Sequence, residues 1–149
     1  MTPELGVIEG YFGRPWSHDD RKAVLTQLRT LGYSWFHYAP KADACLRRRW
    51  REPHSPVAKS VLSDLAAHCR ALGLRFGVGL SPYELYREFS GNARSAFIDK
   101  VRWLDDIGID ELAILFDDTR GDVPDLAARE VEIVHAASAA TRASRVLMC

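Results

Sequence analysis

The sequence predicts an α/β fold in which parallel strands alternate with helices. Short apolar or aromatic runs alternate with longer segments whose apolar residues recur at helical spacing, giving the order β-α-β-α-β-α-β-α-β. Glycine and proline residues separate the two kinds of segment and mark their ends. Strands that alternate with helices in this way form a parallel sheet with right-handed crossover connections.

Two architectures satisfy this order of elements. One is a doubly wound open sheet, and the other is a (β/α)8 barrel, which normally takes about 250 residues. The chain has 149 residues, so length alone favours the open sheet. The same length is typical of one domain, and the sequence contains no linker and no low-complexity segment.

The first strand is expected over residues 6–12 and is followed by a helix. Ser17 is suited to be the N-cap of this helix, and Asp20 lies three residues later, as in a capping box. Gly32 is expected to end the helix in the left-handed conformation. The second strand, residues 34–39, is predicted from its aromatic side chains, and a proline stops it.

The second helix is predicted to begin with Ser55 as N-cap and Pro56 in the first helical position. The third strand covers residues 75–80, and its two glycines predict a bend or a close approach of the backbone. A third helix is expected from about residue 92 to Gly108, where the glycine ends it.

The fourth strand is an apolar run, Leu112–Phe116, that is expected to be buried on both faces. Two carboxylates, Asp117 and Asp118, follow it directly. Pro124 fits the first turn of a fourth helix, and residues 145–149 open a fifth strand. The inward stripe of the fourth helix is predicted to include Leu126, Val131, Val134 and Ala137.

Composition argues against several classes of partner. The chain has 20 basic and 20 acidic residues, so its net charge gives no reason to expect a nucleic acid or an anionic membrane. Arg47, Arg48 and Arg49 form a local basic cluster that is expected to be solvated. No apolar run approaches the roughly 20 residues of a membrane span, and no signal peptide is visible. We expect a cytoplasmic protein with no nucleic-acid partner and no membrane partner.

The cysteine pattern also supports the expectation of a cytoplasmic protein. The three cysteines have no paired CxxC spacing, which argues against a disulfide framework and against a zinc site. Their number and spacing fit a reducing compartment. We therefore expect no metal and no cofactor.

The chemistry is expected at the carboxyl ends of the strands, because ligands bind there in parallel α/β sheets. The residues gathered at this edge include a lysine, carboxylates, an arginine and aromatic side chains, which suit a sugar or another polyol. The glycine order after the first strand differs from that of a dinucleotide-binding motif. The segments concerned are residues 9–14, 40–43, 81–84 and 117–120.

Asp117 and Asp118 leave three interpretations open: an acid/base pair, a metal site and helix capping. Adjacent carboxylates in a closed pocket do not ionise freely together, so one is expected to have a raised pKa. Retaining glycosidases usually place two carboxyls about 5 Å apart on different strands. A side-by-side pair suits substrate-assisted hydrolysis better, with the 2-acetamido oxygen of the sugar as nucleophile. His37, on the second strand, is expected to be a hydrogen-bonded core residue.

Five motifs, in order, resemble glycoside hydrolase family 84, which comprises the protein O-GlcNAcases and related bacterial β-N-acetylglucosaminidases of the hyaluronidase type. The resemblance implies a (β/α)8 barrel that hydrolyses β-linked N-acetylglucosamine with retention. It also implies an oxazoline intermediate, with neither metal nor cofactor. The motifs are residues 6–16, 38–43, 50–53, 80–82 and 115–118.

The resemblance implies roles for four residues. Asp117 resembles the residue that polarises the acetamido group, and Asp118 resembles the general acid/base. Lys41 resembles the lysine that donates hydrogen bonds to the sugar hydroxyls. Gly10 resembles the glycine whose backbone carbonyl meets the sugar.

Two positions depart from the family pattern. Tyr11 precedes Phe12, whereas the family often has the two aromatics in the opposite order. The family usually has Lys-Asp-Asp where this chain has Lys41-Ala42-Asp43, so Ala42 replaces one of the two aspartates. Tyr11 and Asp43 are the remaining candidates for substrate contact.

The resemblance ends inside the fifth strand. Residues 1–149 are therefore expected to form a single partial catalytic domain, a partial TIM barrel of roughly the first four βα units plus the fifth strand. The open strand edges would need to be covered by the missing half-barrel or by self-association. The other expected partner is the substrate, a glycan or glycoprotein that contains N-acetylglucosamine. The alternatives are a non-catalytic sugar-binding or degenerate barrel fragment, and a metal-dependent α/β enzyme.

Overall fold

The computed structural model describes residues 3–149, and within them strands and helices alternate as predicted. The strands are β1 (Gly6–Glu9), β2 (Trp35–Tyr38), β3 (Arg75–Leu80), β4 (Glu111–Ile114) and β5 (Arg145–Met148). The helices are α1 (His18–Thr30), α2 (Pro56–Ala71), α3 (Gly91–Ile107) and α4 (Leu126–Ala140). Two short 3₁₀ segments, Ala44–Leu46 and Leu85–Arg87, lie in the loops that follow β2 and β3.

The five strands form one parallel sheet in the order β1-β2-β3-β4-β5. A doubly wound sheet reverses its strand order at one point, and no reversal occurs among the described strands. Right-handed crossovers that always advance in one direction place every helix on the same face of the sheet, as in the wall of a barrel. The open-sheet preference based on length is therefore wrong, and the partial (β/α)8 architecture is confirmed.

The hydrophobic core lies between the sheet and the four helices. Its fully buried members come from alternate positions of the strands and from one stripe of each helix. Burial of each such side chain contributes about 1.5–3 kcal/mol, which fixes the helices on that face. The strand members are Phe36, Phe76, Val78, Leu80, Leu112 and Ile114, and the helix members include Leu25, Leu65, Phe97, Val101, Leu104 and Ile133.

The opposite face of the sheet, which faces the barrel interior, depends on the two glycines of β3. A Cβ atom at Gly77 would lie 2.2 Å from Cδ2 of His37, and one at Gly79 would lie 2.7 Å from Cβ of Ala39. Side chains of β2 therefore cross over β3 at positions where only glycine leaves room. The predicted close approach at these glycines is confirmed.

A polar network, buried at His37 and Glu111, links five parts of the chain on this interior face. His37 Nε2 lies 2.7 Å from Oε2 of Glu111, and Arg75 Nε donates to Oε1 of Glu111 at 2.6 Å. Arg75 Nη2 and Arg145 Nη1 donate to Oε2 of Glu4 at 2.9 and 2.8 Å. Burial works to raise the pKa of Glu111, but its bonds to His37 and Arg75 outweigh burial and lower it. The prediction of a hydrogen-bonded core histidine at His37 is confirmed.

The predicted helix caps are present. Ser17 Oγ accepts from Asp20 N at 3.1 Å, and Ser17 N donates back to the Asp20 carboxylate at 3.3 Å, which completes the capping box. Ser55 Oγ accepts from Ala58 N at 3.1 Å at the start of α2. Gly32 has the left-handed φ of 82° expected of a residue just past a helix end.

Three predicted limits differ from the structure. β1 ends at Glu9, and the chain bends from residue 12 instead of continuing the strand. The Glu9 carboxylate accepts hydrogen bonds from Arg21. β4 ends at Ile114, before the last two residues of the predicted apolar run. Pro124 lies in the turn before α4, with Asp125 as the N-cap.

The inward face of α4 also differs from the prediction. Val131 is 45% exposed, whereas Ile133, Ala136 and Ala137 are buried. Residues three and four apart share one helix face, and Val131 lies two positions from Ile133, on the far side. In the part of the chain that the structure describes, no helix is both long enough and apolar enough to cross a bilayer.

Candidate active site

The candidate site lies at the carboxyl ends of β1 to β4, as the parallel topology requires. The loops that follow these strands are tied together by backbone hydrogen bonds. Lys41 N donates to the carbonyl of Tyr11 at 3.4 Å, and Leu115 N donates to the carbonyl of Leu80 at 2.9 Å. Residues far apart in sequence therefore meet at one edge of the sheet.

Asp117 is held by side chains from two neighbouring strand ends. Lys41 Nζ and Ser81 Oγ both donate to Oδ2 of Asp117, the serine at 2.8 Å. Lys41 is 11% exposed and Asp117 is 31% exposed, so their ion pair is partly shielded from water. Burial works to raise the pKa of Asp117, but the hydrogen bonds from Lys41 and Ser81 outweigh it and hold that pKa below its usual value. The expected raised pKa is therefore not found at Asp117, which is an ionised carboxylate.

Asp118 has a different backbone and a different partner. Its φ is 60°, in the left-handed region, and its side chain is 61% exposed. Regular strand geometry would send neighbouring side chains to opposite faces, and the left-handed turn breaks this alternation. Arg47 Nη2 donates to Oδ2 of Asp118. The left-handed backbone of a non-glycine residue costs about 1–3 kcal/mol, which is typical of functional sites.

Both carboxylates thus meet cations from one segment, the β2–α2 loop (residues 39–55). Asp117 binds the lysine near the start of this loop, and Asp118 binds an arginine six residues later. The carboxyls therefore face one shared loop. Helix capping does not explain the pair, because α4 begins only at Leu126, after the Asp125 N-cap.

Arg47 is the site residue that sequence reasoning missed. It is only 8% exposed, and its guanidinium carbon lies 5.4 Å from the ring centroid of Phe12. The prediction that the whole arginine cluster is solvated is wrong for Arg47, because the long loop folds back against β1 and β4. Its position between two sequence motifs, residues 38–43 and 50–53, was the only available signal. Ser81 was placed at the correct sheet edge, but its bond to Asp117 was not foreseen.

The remaining candidates lie around this pair. Gly10 lies between Glu9 and Tyr11, whose carbonyls accept hydrogen bonds from the residues that follow β2. The Tyr11 hydroxyl donates to the carbonyl of Arg14 at 3.3 Å, and its side chain is half-exposed. Phe12, which is 71% exposed, is the aromatic that covers Arg47. Contact of Gly10 or Tyr11 with a sugar stays a prediction.

Asp43 is engaged away from the aspartate pair. Its carboxylate accepts hydrogen bonds from the Tyr38 hydroxyl and from Cys45 N, both at 3.1 Å, and lies 3.2 Å from His54 Nε2. Asp43 and His54, with Cys45, are also the side chains best placed to hold a metal ion among the described residues. At Asp117 and Asp118, protein cations already balance the carboxylates.

A small cleft adjoins Asp117. Its lining includes the polar side chains of Arg47, Ser81 and Asp117 and the aromatic side chains of Tyr83, Tyr86 and Phe116. This lining has the mixed chemistry of a small-molecule site. The cleft itself has room for about one water molecule, so a whole sugar needs more space than the ends of these four strands enclose.

The profile of the β-N-acetylglucosaminidase family matches residues 5–147. The chain belongs to this family. It is 33% identical over 114 residues to the protein O-GlcNAcases of Rattus norvegicus and of Mus musculus. Each alignment covers 76% of this chain but only 12% of the relative, so the chain corresponds to a small part of these proteins. The family resemblance seen in the five motifs is confirmed.

A solved structure supports the fold of this β-N-acetylglucosaminidase family member. A mutant O-GlcNAc hydrolase of Thermobaculum terrenum aligns with a TM-score of 0.84 at 22% identity. The alignment covers 98% of this chain and 34% of that chain. Nearly every described element therefore has a counterpart in a longer protein of the same architecture.

Proposed function

We propose that this chain supplies the N-terminal half of a catalytic domain that hydrolyses β-linked N-acetylglucosamine. One observation carries the proposal. Two adjacent carboxylates at the end of β4 are held by separate cations of one loop, beside a small cleft lined by polar and aromatic side chains. Family membership gives the class of sugar, and the names of the relatives point to O-linked N-acetylglucosamine on proteins.

The proposed reaction is substrate-assisted. The 2-acetamido oxygen of the sugar attacks the anomeric carbon, and the bond to the leaving oxygen breaks. Asp117 accepts the acetamido N–H and stabilises the positive charge of the forming oxazolinium. Asp118 donates a proton to the leaving oxygen and then removes one from the attacking water, so that the product retains the β configuration.

The environments of the two carboxylates support this division of labour. Asp117 is partly buried and its pKa is lowered, which suits a group that must stay negatively charged throughout. Asp118 is mostly exposed, which gives the departing group and the attacking water access to it. It acts as the acid once it has exchanged its ion pair with Arg47 for a proton. When the sugar enters, Lys41 exchanges its bond to Asp117 for sugar hydroxyls, and the acetamido N–H takes its place.

A second candidate function, sugar binding without turnover, is favoured by one observation. In residues 3–149 the site is built from the ends of four strands, whereas a complete barrel surrounds its ligand with eight. Under this alternative, the chain binds N-acetylglucosamine but leaves an aryl N-acetylglucosaminide uncleaved.

The deciding experiment measures turnover and binding side by side. Hydrolysis of an aryl N-acetyl-β-glucosaminide is followed with a protein that joins this chain to the remaining strands of the barrel. We expect turnover that Asp117→Asn reduces by roughly 10²–10³-fold and that the matched control Asp122→Asn leaves unchanged. Asp122 lies in the same loop but pairs with Arg120 at the surface.

Two outcomes would count against the proposed function. Turnover that is equal in wild type and Asp117→Asn would place the chemistry elsewhere. Saturable binding of N-acetylglucosamine, seen by NMR shifts at the site, with no hydrolysis of several aryl glycosides would establish the sugar-binding alternative.

A further inference from the structure

A second cluster of chemically active side chains lies in the β2–α2 loop, apart from the aspartate pair. Asp43, Cys45 and His54 each place one donor atom within 4.8 Å of the other two. Asp43 is the N-cap of the 3₁₀ segment Ala44–Leu46, and His54 directly precedes the N-cap of α2. The loop thus closes on itself, so that its two ends bring a carboxylate, a thiol and an imidazole together.

Two of these groups are held rigidly before any ligand arrives. The His54 side chain is only 3% exposed, and its ring stacks on Trp103 at 4.5 Å with an angle of 6° between the planes. The Asp43 carboxylate is oriented by the Tyr38 hydroxyl and by Cys45 N, both at 3.1 Å. Supporting bonds of this kind fix metal ligands in natural sites.

The cluster still has spare capacity for a ligand. The buried Nδ1 atom of His54 has no hydrogen-bond partner among the described residues, so it is free to carry the ring proton when Nε2 binds an ion. The Cys45 thiol makes a long contact of 3.9 Å with the carbonyl oxygen of Pro53.

We propose that Asp43, Cys45 and His54 form a binding site for a divalent transition-metal ion of the zinc class. Thiolate and imidazole ligands favour zinc over magnesium and calcium, which prefer oxygen ligands. Three protein ligands leave a fourth tetrahedral position for water or the Tyr38 hydroxyl. The argument against zinc from the absence of CxxC spacing does not apply, because these three ligands differ in type and the fold gathers them.

Occupancy requires a small contraction and the release of one proton. Zinc–ligand bonds of about 2.0–2.3 Å place tetrahedral ligands about 3.3–3.8 Å apart. His54 Nε2 and Asp43 Oδ2 are already 3.2 Å apart, so rotation of the more accessible Cys45 side chain supplies most of the closure. The thiol gives its proton to solvent. The metal replaces the hydrogen bond between His54 Nε2 and the Asp43 carboxylate, and the imidazole proton moves from Nε2 to Nδ1.

The charges around the cluster set a limit on affinity. Lys100 lies near Cys45 and Asp43. Burial lowers the pKa of its ammonium group, and these two neighbours partly oppose that effect. Its ammonium donates to the carbonyl of Glu52 at 2.7 Å and opposes a second cation nearby.

The position of the cluster gives metal binding a consequence for the aspartate pair. The segment that the ion would fix lies between Lys41 and Arg47, the cations that bind Asp117 and Asp118. A metal at one end of the 3₁₀ segment would restrict the motion of both cations. The cluster would then act as a clamp on the loop, at a distance from the reacting atoms.

Cobalt(II), which replaces zinc and absorbs light, tests the proposal on the full chain. Titration with Co²⁺ alone should produce a thiolate-to-cobalt charge-transfer band and tetrahedral d–d bands that saturate at one ion per chain. Addition of Zn²⁺ should bleach them. Cys45→Ser should lose the charge-transfer band, and the matched control Cys149→Ser should keep it, since Cys149 lies past β5.

A second variant separates the ligand role from a folding defect. His54→Gln should weaken cobalt binding by more than about tenfold while the metal-free far-ultraviolet circular dichroism stays that of wild type. Absence of a charge-transfer band in the wild-type chain would overturn the proposal. A band that survives Cys45→Ser and disappears in Cys149→Ser would overturn it equally.

Discussion

At the scale of single residues, Asp117 and Asp118 are adjacent in sequence but lie in different environments. The first is partly buried under Lys41 and Ser81, and the second is exposed and held by Arg47. A left-handed backbone at Asp118 creates this difference within one peptide unit. Adjacent carboxylates can therefore take separate chemical roles without sharing a proton.

This separation predicts opposite leaving-group behaviour for two variants. Asp118→Asn removes the proton donor, so general-acid catalysis worth roughly 10²–10⁴-fold should be lost for poor leaving groups. An aryl leaving group of low pKa needs little protonation, so its release should survive, and the loss should move to hydrolysis of the oxazoline. Asp117→Asn should slow good and poor leaving groups alike, because cyclisation itself is impaired.

The measurement uses the protein in which this chain is joined to the remaining strands of the barrel. Steady-state and burst kinetics over a series of aryl glycosides then give the dependence on the leaving group for each variant. If both variants showed the same dependence on leaving-group pKa, the assignment of roles would be wrong. Rescue of Asp117→Asn by good leaving groups would reverse the assignment.

Lys41 controls the protonation of Asp117, and this gives a pH prediction. In the wild type, the pKa of Asp117 lies below its usual value, so the carboxylate needed for catalysis persists in mild acid. Lys41→Met removes the strongest of the interactions that lower this pKa, so the pKa should rise and activity should be lost at a higher pH as the solution is acidified. The acidic limb of kcat/KM against pH measures the shift.

The control for this pH prediction is Lys22→Met, which removes a surface lysine that pairs with Asp64 on α2. Its acidic limb should coincide with that of wild type. An unmoved limb in Lys41→Met would show that another group sets the acidic limit.

At the scale of elements, the sequence predicts well the features that depend on a few neighbouring residues, such as helix starts and caps. Ser17 with Asp20 and Ser55 with Pro56 mark helix starts that the structure reproduces, because caps are satisfied within a few residues. The face of α4 was misjudged at Val131, since which stripe turns inward depends on the strands beneath it. Burial of Arg47 depends on Phe12 and Asp118, which lie far away in sequence.

Strand β3 offers a prediction at this scale. Gly77→Ala would place a Cβ 2.2 Å from the His37 ring, which must move and give up its 2.7 Å contact with Glu111. Overpacking and loss of a charged hydrogen bond together should lower the free energy of unfolding by about 3 kcal/mol. Urea denaturation measures the change.

Gly121→Ala is the matched control, because a Cβ there meets nothing within 4 Å. We expect its free energy of unfolding to lie within about 0.5 kcal/mol of wild type. Equal stability of the two alanine variants would show that β2 and β3 are not packed as described.

At the scale of the whole molecule, the interior polar network joins the N-terminal segment to the last strand. Glu4 accepts hydrogen bonds from Arg75 and Arg145, and Glu111 accepts them from Arg75 and His37. Glu4 and Glu111 each accept hydrogen bonds from side chains of two different strands. The network therefore holds β2 to β5 in register. Apolar side chains such as Ile8, which is 51% exposed, occupy the rest of this face.

This network predicts acid sensitivity of the fold. The pKa of Glu111 is lowered in the folded chain, so its contribution to stability is present above the usual pKa of a glutamate, about 4.3, and is lost as pH falls below it. Glu111→Gln should therefore cost about 2 kcal/mol at pH 7 and much less at about pH 3. Denaturant titrations at both values measure the gap.

The comparison is controlled by Glu132→Gln, which alters a surface pair with Arg94. This variant should stay close to wild type at both pH values. A gap between Glu111→Gln and wild type that is the same at pH 7 and pH 3 would rule out ionisation of Glu111 as the cause.

The consecutive strand order has a consequence for how the protein is made. Each strand pairs with the one synthesised just before it, so βα units can dock one after another as the chain leaves the ribosome. Nascent chains stalled after α3 should already resist proteolysis across β1–β3, and uniform sensitivity until release would contradict this order. Lys41 and Ser81 then stand in place before Asp117 emerges, and the carboxylate is never buried without its counter-charge.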